Sequence, residues 1–234
     1  KTELITNVSH DIKTPLTSII NYVDLLEKEE LSNETAEGYL EVLERQSNRL
    51  KKLIEDLIEA SKASTGNLAV HLEKLEAGVS VVQIVGEFED KLNAADLTLL
   101  IQKPETPVYV MADGRHFWRG IDNLMNNICK YAQPGTRVYV DLRENGGQVE
   151  LIFRNTSRYP LNISSEELME RFVRGDESRN TEGSGLGISI AKSLMELMGG
   201  SFMLYVDGDL FKVVLGFAQM EEEKEPLDED KSGK

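Results

Sequence analysis

The apolar residues change their spacing once along the chain, near residue 60, and that change demands two kinds of structure. Before it, Ile5, Val8, Ile12, Pro15, Ile19, Tyr22 and Leu26 recur at alternating steps of three and four. Tyr39, Leu43, Gln46, Leu50, Leu53 and Leu57 then repeat the rule. Such spacing draws a narrow stripe along a helix, the seam of a coiled coil or four-helix bundle. Leu31-Ser32-Asn33-Glu34 interrupts the pattern, and Ser32 or Asn33 supplies a side-chain oxygen to cap a second helix. Residues 1–62 therefore predict an antiparallel helical hairpin. Two helices bury a seam poorly alone, so a homodimer making a four-helix bundle is expected.

After Ser64-Thr65-Gly66-Asn67 the pattern becomes short β-like runs at Leu68–Leu72, Val108–Met111, Arg137–Leu142, Val149–Phe153, Ser201–Val206 and Leu210–Phe217. Helical patterns fall between them at Ser80–Ala94, Gly114–Ala132, Glu166–Arg171 and Leu186–Met198, with Asp113 placed to cap the second. Asn145-Gly146-Gly147 and Asp207-Gly208-Asp209 read as hairpin turns. Residues 67–220 thus predict an α/β layer domain, making the chain an α+β protein of two domains. The stretch 221–234, EEEKEPLDEDKSGK, holds seven acids and three lysines and predicts a solvated, disordered tail.

A formal net charge of −15 excludes nucleic acid as the main partner, because a phosphate backbone demands clustered lysine and arginine. Cys129 is the one cysteine, so no internal disulfide can form and a reducing, cytoplasmic setting is expected. No apolar run approaches the ~18–20 residues that cross a bilayer, and no signal peptide is visible. The chain starts at Lys1, already in a helical pattern, and is expected to be a fragment from which membrane segments have been left out.

Three groups of residues can carry chemistry. In the first heptad His10 falls at an outward position, where a nearly unperturbed imidazole is an accessible nucleophile. Asp11 can orient one ring nitrogen, Thr14 shares the same face, and Pro15 bends the helix just beyond. On the heptad alone, an ordinary surface histidine explains as much. Asn123 and Asn127 share a helical face with Lys130 a turn further on; carboxamide oxygens can hold Mg²⁺ and the lysine can neutralise phosphate. Gly183, Gly185 and Gly187 alternate and run into a helix, offering N–H groups to an anion, though a ligand-free turn reads the same way. His71 and His116 are not spaced for a metal, and Cys129 and Trp118 read as packing.

The stretch SHDIKTPLTSI resembles the phosphoacceptor box of the sensor histidine kinases of two-component systems. Asn123 to Ala132, NLMNNICKYA, resembles that family's N box, and Phe172 and GSGLG resemble its F and G2 boxes, all in family order. The resemblance implies an ATP-binding domain of the gyrase/histidine-kinase (Bergerat) type. It implies phosphorylation of His10 from Mg²⁺-ATP, assistance by Asp11, and a water-positioning role for Thr14 in response-regulator dephosphorylation. Asn127 would ligate magnesium. Asn123, Lys130, Tyr131, Phe172, Gly183, Gly185, Leu186 and Gly187 would line the nucleotide site, and Arg174 and Arg179 would reach the phosphates from a lid over Val173–Glu182.

Two positions depart from relatives. The family's adenine-binding aspartate is replaced by Asn155, a neutral and weaker acceptor. Where gyrase-type ATPases place a glutamate base, Asn123 stands, which suits transfer to histidine better than hydrolysis. The phosphate is expected to pass on to a response-regulator receiver domain. A chain acting mainly as a phosphatase, or a non-catalytic dimeric scaffold, are the alternatives.

Overall fold

The computed structural model describes residues 16–28, 34–161, 168 and 186–220. Its first helices are α1, residues 16–28, and α2, Glu34–Ser64. The five residues between them allow only an antiparallel return, and carboxylate oxygens of Asp24 and Glu27 on α1 come within 4.8 Å of Glu44 on α2. Leu16, Val23, Leu40, Ser47 and Ile54 are buried along this hairpin. They are not the stripe that the heptad spacing picks out. Ile19, Tyr22, Leu26, Tyr39, Leu43, Leu50 and Leu57 are all at least 37% exposed in the single chain. The helices are apolar over more than one stripe, and the spacing could not tell which stripe closes within the chain and which is left outward.

Seven strands form one sheet: β1 Glu73–Glu76, β2 Leu97–Gln102, β3 Tyr109–Ala112, β4 Thr136–Asn145, β5 Gln148–Thr156, β6 Ser201–Asp207 and β7 Leu210–Met220. Their order is β1-β3-β7-β5-β4-β2, with β6 also pairing β7; β2 and β4 are parallel and the other pairs antiparallel. Asn145-Gly146-Gly147-Gln148 closes the β4–β5 hairpin, with φ of 57° and 80° at the glycines, values that side chains disfavour. Helices α3 Ala77–Gly86, α4 Glu89–Ala94, α5 Gly114–Tyr131 and α6 Gly187–Leu197 complete the layer.

Strand alternation sets the core. Val149, Leu151 and Phe153 of β5 lie opposite Phe217, Leu215 and Val213 of β7. All six join one cluster with Phe117, Ile121 and Met125 of α5 and Ala191 and Met195 of α6.

Several boundaries differ from the sequence expectation. Leu68–Leu72 is not strand; β1 begins at Glu73 in the charged stretch EKLE. The run LTLLIQ, β2, has no alternation to announce it. Ser80–Ala94 divides into α3 and α4 around Glu87 and Phe88. The expected helix Glu166–Arg171 and the acidic tail lie outside the described residues, save Leu168.

The hairpin and the sheet domain touch. Ala60 and Ala63 of α2 are buried with Leu186, Ile190 and Leu194, with Leu68 packed alongside. No helix among the described residues is long and apolar enough to cross a membrane.

Candidate nucleotide site

Asn155 interrupts an apolar row. Two residues beyond Phe153 on β5, it shares the face that α5 covers, yet it brings a carboxamide and is 4% exposed. Its Nδ2 donates to the Thr156 carbonyl at 3.2 Å, which fixes the amide's orientation. Its Oδ1 is buried without a hydrogen-bond partner. An orphaned buried acceptor costs roughly 1–3 kcal/mol, so a side chain held this way is one prepared for a donor.

The end of α5 is laced to the end of β5 beside this residue. The Gln133 N–H donates to Thr156 O at 2.9 Å, the Arg158 N–H to Tyr131 O at 2.8 Å, and Ala132 bridges Ser157. Asn123, Asn127 and Lys130 therefore stand on a helix whose last turn is pinned to the Asn155 strand. Asn123 and Asn127 are half-buried, one turn apart. Asn123 Nδ2 is a second orphan, a buried donor without a partner. Lys130 Nζ lies 4.7 Å from the Tyr131 ring centre.

The third wall is the start of α6. Leu186 is buried and, being apolar, supplies no side-chain cap to the helix that starts after it. A methyl group placed on Gly187 would lie 3.7 Å from Asn123 Oδ1, which sets the α6 start directly against the middle of α5. One buried acceptor on β5, one buried donor on α5 and a helix N-terminus suit a ligand with an amino-bearing ring at one end and anionic oxygens at the other.

His10, Asp11, Thr14, Phe172, Arg174, Arg179, Gly183 and Gly185 lie outside the described residues. Of the residues set aside on sequence grounds, His116 Nε2 lies 3.0 Å from Ala69 O, and Cys129 is half-buried, with burial raising its thiol pKa. Trp118, read as packing, is 38% exposed.

Sequence reasoning missed a cluster beside the asparagines. Arg119, one turn before Asn123, directs Nε to Glu59 at 3.0 Å, Nη2 to Asp56 at 3.0 Å and Nη1 to Asp122 at 3.3 Å. Burial disfavours the charged guanidinium, but the carboxylates of Glu59, Asp56 and Asp122 outweigh it and raise the pKa above its ordinary value. Asp122 also accepts from Asn126 Nδ2 at 2.9 Å, and Asn126 Oδ1 accepts from Lys91 at 3.2 Å. The signal was faint: an arginine four residues ahead of Asn123, two of whose three partners are 60 and 63 residues away.

Two family models match the chain: the His Kinase A (phospho-acceptor) domain over residues 1–66, and the histidine kinase-, DNA gyrase B- and HSP90-like ATPase over 112–225. The sensor histidine kinase YcbM of Bacillus subtilis is 27% identical over 200 residues, 84% of this chain and 64% of that protein. The sensor protein kinase WalK of Staphylococcus aureus is 28% identical over 204 residues, 85% of this chain and 48% of that one. The sensor protein DivL of Caulobacter vibrioides is 27% identical over 201 residues, of which this chain spans 26%. Among solved structures, full-length ShkA in complex with AMPPNP superposes with a TM-score of 0.79 at 19% identity, covering 95% of this chain and 47% of that one. The Acinetobacter baumannii histidine kinase AdeS gives 0.63 at 19%, covering 89% and 97%. With both domain types present in order, and relatives that span both, the chain belongs to the sensor histidine kinases of two-component systems.

Proposed function

We propose that this chain binds Mg²⁺-ATP between α5, β5 and α6 and transfers the γ-phosphoryl group to His10 of the hairpin, from which it passes to an aspartate of a response-regulator receiver domain. The observation that carries this reading is the pair of opposite orphans: Asn155 Oδ1, an acceptor, and Asn123 Nδ2, a donor. Adenine has an exocyclic amine for the first, and a phosphate oxygen suits the second. Guanine would set a carbonyl against Asn155 Oδ1, so the amide favours adenine.

The residues then divide the work. Asn127 offers its carboxamide oxygen to magnesium, and Lys130, Arg174 and Arg179 neutralise phosphate charge. Tyr131, Phe172, Leu186 and the glycines Gly183, Gly185 and Gly187 enclose the nucleotide. ATP supplies the phosphoryl group as substrate. A nitrogen of the His10 imidazole attacks it, and Asp11 holds the ring's other nitrogen in the tautomer that leaves this one free. Positioning and charge neutralisation supply most of the rate, since no water must be activated. Thr14 would place a water for the reverse, phosphatase step, and a homodimer of hairpins carries the whole.

The test is incubation with γ-labelled ATP and Mg²⁺. Acid-labile label is expected on His10; His10→Gln should remove it while leaving ATP binding intact, and Asn127→Asp should abolish binding. Label that persists in the His10 variant would show another acceptor and overturn the assignment.

A further inference from the structure

Both walls of the phosphate end are fastened to the same two turns of α2, between Asp56 and Ala63. On one side Leu186 and Ile190, at the start of α6, are buried against Ala60 and Ala63. On the other, Arg119 of α5 reaches Asp56 and Glu59. These residues lie at the end of α2 remote from its connection to α1. Whatever holds these contacts holds the ATP-binding domain on the hairpin.

The apolar contact is made by a few small and aliphatic side chains. The charged contact has a fixed geometry, because each guanidinium nitrogen that forms a bond goes to a different carboxylate, two on α2 and one on α5. Asp56, Glu59 and Asp122 share Arg119, and its side chain is mostly buried. Without Arg119 both ion pairs from α5 to α2 are lost together, a larger change than losing one exposed pair.

We propose that Arg119 is a positioning residue for phosphoryl transfer: through Asp56 and Glu59 it sets the pose of the ATP-binding domain on the hairpin, without contacting nucleotide. The proposal rests on the reading that His10 is phosphorylated from ATP bound at this site. Arg119 governs delivery to the hairpin and leaves affinity for nucleotide alone. Lysine cannot replace it fully, since one ammonium cannot satisfy three divergent carboxylates held in a planar fork.

The experiment uses the full chain, with autophosphorylation rate at saturating ATP and the dissociation constant for a fluorescent ATP analogue measured side by side. Arg119→Ala is expected to slow labelling about tenfold or more while affinity changes less than about twofold. Arg119→Lys should fall between. Salt dependence supplies a signature that a merely structural role would not give. Raising salt should slow the native protein by screening attraction, and change Arg119→Ala much less, since those pairs are already gone. Glu59→Gln alone should slow labelling in the same direction, and added to Arg119→Ala it should cost little more, because the pair is already broken.

An Arg119→Ala protein that labels at the native rate or faster, or that loses nucleotide affinity in step with rate, would overturn the assignment. Unfolding is read separately, since a variant that binds the analogue normally has kept its domain. If the native chain binds ATP but never labels His10, the underlying kinase reading fails instead, and the two failures are distinct.

Discussion

Asp113 holds the start of α5 with one carboxylate. Its Oδ1 accepts from the N–H groups of Arg115 at 3.0 Å and His116 at 3.3 Å, and its Oδ2 from the His71 N–H at 2.9 Å. Burial pushes its pKa up, but the N–H groups of His71 and His116, the nearby His116 ring and the Arg115 N–H outweigh that and lower it to about 2. A carboxylate depressed in this way stabilises the fold above its ordinary pKa of 3.8, and that contribution fades as pH falls toward about 2. Two pH units of depression correspond to roughly 2–3 kcal/mol at neutral pH. Asp113→Asn should therefore lower the melting temperature clearly at pH 7 and about half as much at pH 3, measured by circular dichroism; an equal loss at both would mean that the charge contributes nothing. The capping role was legible, because an aspartate before Gly114 and an apolar helix is a local pattern. The His71 partner was not, because 42 residues separate the two and only the fold brings β1's approach beside α5.

At the scale of elements, α5 and α6 approach closely through a missing side chain. A methyl group at Gly120 would sit 2.0 Å from Met195 Cε, and Met195 is fully buried. Glycine inside a helix costs about 1 kcal/mol against alanine, and here close packing is the reason it stands. Gly120→Ala should destabilise the domain by about 1–3 kcal/mol in urea unfolding despite its better helix propensity. Pairing it with Met195→Ala should return part of the lost urea midpoint relative to the sum of the single changes. Additive losses would show that the two sites do not meet. Elements with a strong internal pattern were legible: α5, both glycine-marked hairpins and the long strands β4, β5 and β7. β1 and β2 were not. Glu73–Glu76 gains its strand from pairing with β3, and LTLLIQ, lying parallel to β4, has no alternation to read. The candidate site divides similarly. Asn123, Asn127 and Asn155 could be picked out in sequence, but the orphaned atoms that give them meaning appear only once β5 and α5 are laced together.

For the whole molecule, the exposed stripe on the hairpin is the feature a single chain leaves unsettled. Tyr22 and Leu26 on α1, with Tyr39, Leu43 and Leu50 on α2, are between 46% and 68% exposed. They recur at heptad spacing beside a separate, internally buried stripe. A helix pair with two apolar stripes has more apolar surface than its own packing can use, and a second hairpin is the simplest cover. This also explains why the heptads were legible while their partner was not: spacing reports that a stripe will be buried, and says nothing about whose side chains bury it. Leu43→Glu combined with Leu50→Glu should convert a dimer into a monomer by light scattering. The melting of the hairpin should become the earlier transition, because the bundle's shared core is gone. Nucleotide binding should survive, since Asn123, Asn127 and Asn155 stand on α5 and β5, away from that stripe. A double variant that stays dimeric would move the association surface to another face, and the exposed stripe would then need a different partner.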